Sequence, residues 1–388
     1  MSEIKVNSIK GVGASTAAIT VNNSDGTCTA NITNNLSNRN LIINGAMQVA
    51  QRGTSSTTSG YGSVDRFRVF VTGVDENPTQ AQADVVAGTT PYTSGFRKCL
   101  KVTNGNQTSG AGASDYLIIR QIIEAQDIAN SGWNYTDSNS KITLQFWVKS
   151  SVAQNFYGRL QTRDGTTYSY PFETGSLSAD TWTKITKTIV GNSNLTFNND
   201  NGAGLNVEVV PFYGTDFTAS PSLNTWAAHS SSSRTPDYTS TWYTTNDATF
   251  EITGVQLEVG SVATDFEHRS FAQEFDLCRR YYERWDGAQF NPFITGMAYQ
   301  STIGIADFHW YPKRDVPSLE YSNLSHFDRL KSASSSVSSA ITNLTLTNTG
   351  PKFNYGNLYW NHDSMTGGQA IMFRTNSNSA YLAISSEL

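Results

Sequence analysis

Residues Asn40 to Gly53 read NLIINGAMQVAQRG, and residues Phe250 to Arg269 read FEITGVQLEVGSVATDFEHR. Each is a short apolar alternation stopped by glycine, the pattern of a half-buried strand that runs into a turn. The two phrases read as the first and last strands of one β-sandwich, which makes residues 41–269 a single large β-domain. Expected strands are Leu41–Ile43, Phe67–Val71, Cys99–Val102, Tyr116–Ile123, Lys141–Lys149, Phe156–Leu160, Trp182–Ile189, Leu205–Phe212 and Thr249–Leu257. Runs of this length, separated by loops rich in Gly, Asn and Ser, spell a jelly roll. In ITLQFWVK the apolar residues alternate through Ile142, Leu144 and Phe146, and Trp147-Val148 then breaks the phase. That break reads as a central strand buried on both faces at its end. The stretch from Phe217 to Thr241 is an unusually long loop, a kind that tends to carry function.

The flanks are smaller. Residues 1–40 hold short alternating pieces around Ile4–Val6, Ala18–Val21 and Cys28–Ile32. Asp25-Gly26 lies between the last two as a hairpin turn. A piece this small cannot keep a core of its own and has to pack on something else. Residues 270–285, SFAQEFDLCRRYYERW, read as a connecting helix. Ser270 and Gln273 form a capping box, and Phe271, Phe275, Cys278, Tyr282 and Trp285 make one apolar stripe. The spacing fits two heptads of a coiled coil as well as packing on the chain's own sheets. Residues 286–388 return to strand pattern at Phe293–Tyr299, Ile303–Trp310, Ser318–Tyr321, Ile341–Thr347, Lys352–Tyr359, Gln369–Arg374 and Ala380–Ile384, enough for a second, smaller sandwich. The fold class is therefore all-β, with one short helix between two sandwiches and a small N-terminal β-segment.

Composition agrees and excludes several functions. Of the 388 residues only 15% are charged and 12% are aromatic, and the formal net charge is −5 with no basic block. Nucleic-acid binding, which needs lysine and arginine against phosphate, is not expected. No apolar run approaches the roughly 20 residues of a membrane helix. The start, MSEIKVNSIK, lacks an apolar core and a cleavage site, so no secretory leader is expected. The three cysteines, Cys28, Cys99 and Cys278, are far apart and read as reduced, buried thiols rather than a disulfide framework or metal ligands.

Catalytic signals are missing. His229, His268, His309, His326 and His362 show no metal-ligand spacing, and there is no GxSxG nucleophile elbow. Neither a metal nor another cofactor is expected. Glycoside hydrolysis needs two carboxyls facing each other across about 5–9.5 Å. Asp164, Glu173, Asp180, Asp216, Asp237 and Asp247 are scattered, and no solenoid repeat is present. The chain is not expected to be an enzyme, and a depolymerase is the weakest of the readings kept.

Two further phrases, CRRYYERW at Cys278 to Trp285 and AYLAISSEL at Ala380 to Leu388, join the bracketing pair in a resemblance. Together they resemble bacteriophage tail fibres and related virion appendages, whose jelly-roll domain is similar to carbohydrate-binding modules. The resemblance implies a location in the virion, attachment through residues 1–40 to other tail or adaptor proteins, and a homotrimer. It also implies a host surface polysaccharide or lipopolysaccharide as the target of the C-terminal sandwich. Many carbohydrate-binding jelly rolls hold a structural calcium with one acid in the opening strand and one in the closing strand. The matching places here, Met47-Gln48 and Thr253-Gly254, offer no carboxylate. A capsid decoration or tail structural protein without receptor binding is the alternative.

Sugar rings stack on aromatic faces while amides and carboxylates take their hydroxyls, so aromatic and polar residues clustered in a turn-rich stretch mark candidate sites. Phe353 to Asp363 is one such stretch, with Tyr355, Tyr359 and Trp360 as platforms and Asn361, His362 and Asp363 as polar contacts. Gly356 and Gly367-Gly368 frame it as a loop. Trp226 to Tyr243 is a second, with Trp226, Tyr238, Trp242 and Tyr243. The alternative for both stretches is that the rings are core or inter-chain packing, the stronger reading for Trp242 and Tyr243, which enter a strand, and an equal one for Tyr359 and Trp360.

Overall fold

A computed structural model describes residues 6–331, 338–347, 354–363 and 365–388, apart from 14, 16, 22–23, 25–27 and 31–37. The described chain is all-β, and every strand pairing within its sheets is antiparallel. Two six-stranded sheets form the jelly roll. The front sheet runs Ala227–Ala228, Tyr168–Ser176, Asn155–Thr162, Ala203–Tyr213, Tyr116–Glu124, Arg68–Thr72. The back sheet runs Thr183–Val190, Lys141–Ser150, Thr249–Val259, Lys98–Thr103, Thr79–Asp84, Ser55–Ser56. Alternation puts Leu117, Ile119, Val207 and Val209 of the front sheet against Leu144, Phe146, Ile252 and Leu257 of the back sheet in one core. Val148 stays in that core, so the phase does not break where the sequence pattern pointed; Trp147 instead stands on the outer face of the back sheet.

The opening phrase is not a strand. Residues 41–43 belong to no sheet, and side-chain amides replace the ladder. Asn40 Oδ1 accepts from the backbone N–H of Ile42 and Leu257, both at 3.0 Å. Asn44 Oδ1 accepts from Val49 N–H at 3.0 Å, and its Nδ2 donates to the carbonyls of Val49 and Asp65. Asn44 and Met47 both adopt positive φ. Between them Gly45 lies so close to the closing strand that a Cβ would sit 2.1 Å from the Val255 carbonyl oxygen. Asn38 and Asn40 donate through their backbone N–H to Glu267, which ties this stretch to the closing phrase.

The helix is Phe271–Arg279, with the Ser270/Gln273 capping box formed at its start. It is shorter than the expected 270–285, because the strand Tyr282–Gly287 begins three residues later and pairs with Ala380–Ser385. Its buried residues are Glu274 and Cys278, while Phe271 is 57% exposed. Of the expected apolar stripe, Cys278 and Tyr282 are buried while Phe271 points to solvent. Glu274 is drawn inward by the Asn44 backbone N–H and by Arg269 Nη1, the latter at 3.0 Å.

In the C-terminal sandwich a seven-stranded sheet runs Ser338–Ala340, Phe327–Lys331, Ala370–Thr375, Pro292–Gln300, Ile303–His309, Tyr355–Asn361, Asn343–Thr347. It packs on a three-stranded sheet of Tyr282–Gly287, Ala380–Ser385 and Ser318–Tyr321, around Phe308, Trp360, Phe373, Leu382 and Ile384. The first forty residues contribute Ser8–Ile9, Ile19–Val21 and Cys28–Ala30, which pair only with one another among the described residues. Of the Asp25-Gly26 turn, both residues lie outside the described ones.

Three of the phrases that carried the resemblance, Asn40–Gly53, Cys278–Trp285 and Ala380–Leu388, meet at the joint between the sandwiches. Arg52 lies 3.4 Å from the centre of the Tyr282 ring and pairs with Glu387 at 3.2 Å. Arg66 lies 3.4 Å from the centre of the Tyr281 ring and also pairs with Glu387. Gln51 Nε2 donates to the Tyr282 carbonyl at 2.9 Å, and Tyr61 OH to the Leu388 carbonyl at 2.9 Å.

Candidate functional site

The segment Tyr355 to Asp363 is a strand and not a loop. Residues Tyr355–Asn361 alternate between solvent and core. Tyr355, Asn357, Tyr359 and Asn361 face outward, and Gly356, Leu358 and Trp360 face inward. Trp360 is wholly buried and packs on Phe373 with ring centres 5.2 Å apart. Two glycines leave room for its indole: a Cβ on Gly304 would stand 2.2 Å from Trp360 Cε2, and one on Gly296 would stand 2.9 Å from Cη2. Trp360 is thus a core residue and no platform for a ligand. His362 is buried as well, with Nδ1 facing the Asp363 carbonyl. Asp363 is exposed but pairs with Arg329, which is buried beneath it. Of the six residues singled out, only Tyr355, Tyr359 and Asn361 share an accessible face.

That face is the outer surface of the seven-stranded sheet, and strand register brings to it residues the sequence reading missed. Ile305 and Thr345 stand opposite Tyr359, Asp307 and Thr347 opposite Asn357, and His309 opposite Tyr355. Met297 lies beyond Ile305 on the next strand. Tyr299 is 56% exposed and meets Tyr359 edge-on, with ring centres 6.1 Å apart; Tyr355 is 45% exposed. Asn357 Nδ2 donates to Asp307 Oδ1 at 3.0 Å, which orients both side chains. The surface thus combines half-exposed phenol rings with a carboxylate, amides and hydroxyls. Period-two alternation in Ile303–His309 was the signal that would have found Asp307 and His309; nothing local marks Tyr299 as their neighbour.

The second aromatic stretch is interior. Trp242 and Tyr243 sit on the short helix Thr241–Thr244, both fully buried. Trp242 Nε1 donates to the Thr249 carbonyl, and Tyr243 stacks on Phe212 at 4.1 Å. Trp226 is buried against Tyr170, and its Nε1 donates to the Val190 carbonyl. The long loop is ordered across the outer face of the front sheet. Tyr238 packs edge-on against Tyr157 and Tyr213, and Arg234 lies over Phe217. Beside it runs a buried polar ladder. Glu208 takes Arg120 at 2.6 Å on one side and Arg159 on the other. Burial pushes the Glu208 carboxyl up, but the two guanidiniums outweigh that effect and bring it down to about 2. Burial, reinforced by the Arg159 and Arg234 charges, brings His229 down to about 4. These groups are consumed by one another and by the loop, so the front face offers little to a ligand.

The places matched to a structural calcium carry other chemistry. Met47 is buried, and Thr253 Oγ1 donates to the Lys98 carbonyl at 2.7 Å. Nearby oxygens converge on the Arg269 guanidinium instead: the carbonyls of Asn40 and Ile42 and the carboxylates of Glu267 and Glu274. Among the described residues no three His, Cys, Asp or Glu side chains are grouped to hold a metal ion.

No family model matches the chain, and no curated protein matches it. Solved structures similar to part of it include a carbohydrate-binding module of the CBM4 type. That match has 11% identity and a TM-score of 0.28, and it covers 56% of this chain and 98% of that one. The N-terminal cellulose-binding domain of a β-1,4-glucanase from Cellulomonas fimi matches at 8% identity and a TM-score of 0.27, covering 55% of this chain and 99% of that one. The tandem CBM22 domains of Paenibacillus barcinonensis Xyn10C match at 7% identity and a TM-score of 0.27, covering 91% of this chain and 98% of theirs. The likenesses are slight, and the sandwich rests on its own strand pairing.

Proposed function

We propose that this chain is a non-catalytic attachment protein of a bacteriophage particle, which contacts host surface glycan with the outer face of its C-terminal seven-stranded sheet. The observation that carries this reading is the gathering of Tyr299, Tyr355 and Tyr359 on one open face with Asp307 and Asn357. Aromatic faces receive the C–H faces of sugar rings, and the carboxylate and amide receive hydroxyls. A flat, open sheet suits a polymer lying across it better than a small molecule, which favours a cleft. The virion context comes from the phrases at Asn40–Gly53, Phe250–Arg269, Cys278–Trp285 and Ala380–Leu388. Residues 1–40 are read as the attachment segment and as a contact between three copies. Their strands pair only with one another among the described residues, and Val6 and Ile9 are exposed. Met297, 50% exposed beside Ile305, favours the second reading, in which the same face meets another virion protein.

The test is adsorption. Particles carrying Tyr359→Ala with Tyr299→Ala are expected to assemble normally and to lose most binding to host cells and to purified surface polysaccharide. Unchanged adsorption with normal assembly would overturn the glycan reading. Loss of assembly would favour the structural one.

A further inference from the structure

The outer face of the back sheet carries a hollow of about 450 Å³, within the ordinary range of ligand pockets. Trp147 forms part of it and is half-buried there, and Lys184 lies directly opposite on the next strand. On the other side the strand Thr249–Val259 changes register between Thr253 and Gln256. Gly254 sits in that irregularity at φ +63°. A Cβ at Gly254 would stand 2.6 Å from the Phe96 ring, so glycine lets Phe96 pack against the strand here and form one side of the hollow. Phe266 and His268 make a wall, their rings edge-on at 4.9 Å, and His268 is held by a 3.0 Å hydrogen bond from Nε2 to the Ser94 carbonyl.

The second observation is Gln145, which lines the hollow and is only 2% exposed. Its Nε2 donates to the Thr264 carbonyl at 2.6 Å, which fixes the orientation of the amide. Its Oε1 has no hydrogen-bond partner. Interiors rarely leave such an acceptor unmade, because its desolvation is then uncompensated. An acceptor calls for a donor, which selects a hydroxyl or N–H over an anion or an ether. Lys184 and Asp265 line the same hollow with opposite charges, which favours a neutral ligand that both donates and accepts.

We infer that this hollow binds one uncharged sugar ring, stacked on Trp147 and donating a ring hydroxyl to Gln145 Oε1. It lies on the jelly roll, apart from the seven-stranded sheet, so this inference and the proposed attachment face can fail separately. The probes are the methyl glycosides of glucose, galactose, mannose and N-acetylglucosamine, followed by saturation-transfer NMR on the full chain. At least one is expected to bind. Its affinity should fall by about tenfold or more in Trp147→Ala and in Gln145→Leu, and stay unchanged in Tyr359→Ala. Lys184→Met alters only an exposed side chain and is expected to weaken binding severalfold, which keeps the test open should the other two variants fold poorly. Absence of binding by all four glycosides would overturn the inference and point to water as the partner of Gln145. Binding that survives all three pocket variants would also overturn it, as would binding lost only in Tyr359→Ala.

Discussion

Glu124 and Arg280 face each other through two parallel hydrogen bonds, both 2.7 Å long, from Nε and Nη2 of the guanidinium to the two carboxylate oxygens. Glu124 closes the strand Tyr116–Glu124 of the jelly roll, and Arg280 follows the helix that leads to the C-terminal sandwich. Tyr281 OH and Gln126 Nε2 complete the carboxylate, each at 2.6 Å. A buried carboxylate with this set of donors ties the two sandwiches together, whereas an incomplete set would leave a charge stranded.

Replacing Glu124 by Ala is therefore expected to destabilise the protein by on the order of 3 kcal/mol, since Arg280 and Tyr281 lose their shared acceptor at the joint. Calorimetry should show the single unfolding transition splitting in two, with the C-terminal unit melting first. A single transition at the original temperature would show that the joint does not couple the units.

Trp360→Ala and Tyr359→Ala, adjacent changes, should behave oppositely. The first empties a core position under Gly304 and Gly296 and should cost on the order of 3–5 kcal/mol. The second removes a half-exposed ring and should cost about 1 kcal/mol or less. Chemical denaturation separates them directly. Gly304→Ala should match the Trp360 variant in severity, because its Cβ would overlap the indole.

Acid should unfold the jelly roll in two stages. The His229 pKa is lowered on folding from 6.5 to about 4, so its stabilising contribution is present above 6.5 and fades as pH falls toward 4. Its Nδ1 faces Arg159 Nη1 at 3.4 Å, and protonation would set two donors against each other. Glu208 is lowered from 4.5 to about 2, so its contribution is present above 4.5 and is lost as pH falls through 2. For Glu208 that loss is on the order of 3 kcal/mol. Urea midpoints between pH 7 and pH 2 should fall across both windows, and His229→Gln should flatten only the upper one.

Removing residues 1–37 should leave both sandwiches folded, because the backbone bonds of Asn38 and Asn40 to Glu267 are kept. The shortened chain is expected to sediment as a monomer and to fail to join the particle, while the full chain sediments as a trimer. A full chain that sediments as a monomer at micromolar concentration would end the trimer proposal. Incorporation of the shortened chain would place the anchor elsewhere.

Strand runs such as Lys141–Ser150 and Ser318–Tyr321 were legible because alternation is local: a residue and its neighbour two positions on share a face whatever the partner strand. Strands such as Thr79–Asp84 and Tyr168–Ser176 escaped notice, since polar residues, proline and glycine interrupt their apolar pattern, although Tyr170 and Phe172 reach the core. The opening phrase misled for a different reason. Its alternation is real, but Asn40 and Asn44 bond the backbone through their side chains and remove it from the sheet.

From its sequence alone this protein was an all-β chain of two sandwiches with one capped helix between them, because periodicity, turn residues and capping are written within a few positions of each other. Which aromatic rings meet solvent was decided only by tertiary structure. Tyr359 and Trp360 are neighbours of similar chemistry, and nothing within the segment says which faces the core. Gly296 and Gly304, far away in sequence, admit the indole, because a Cβ on either would overlap it. Trp147 and Gln145 share a face by local alternation, but only the tertiary structure brings Gly254, Phe96 and Phe266 up to them to form one hollow. Packing of this kind is a relation between distant segments, and strand register, not local pattern, determines it.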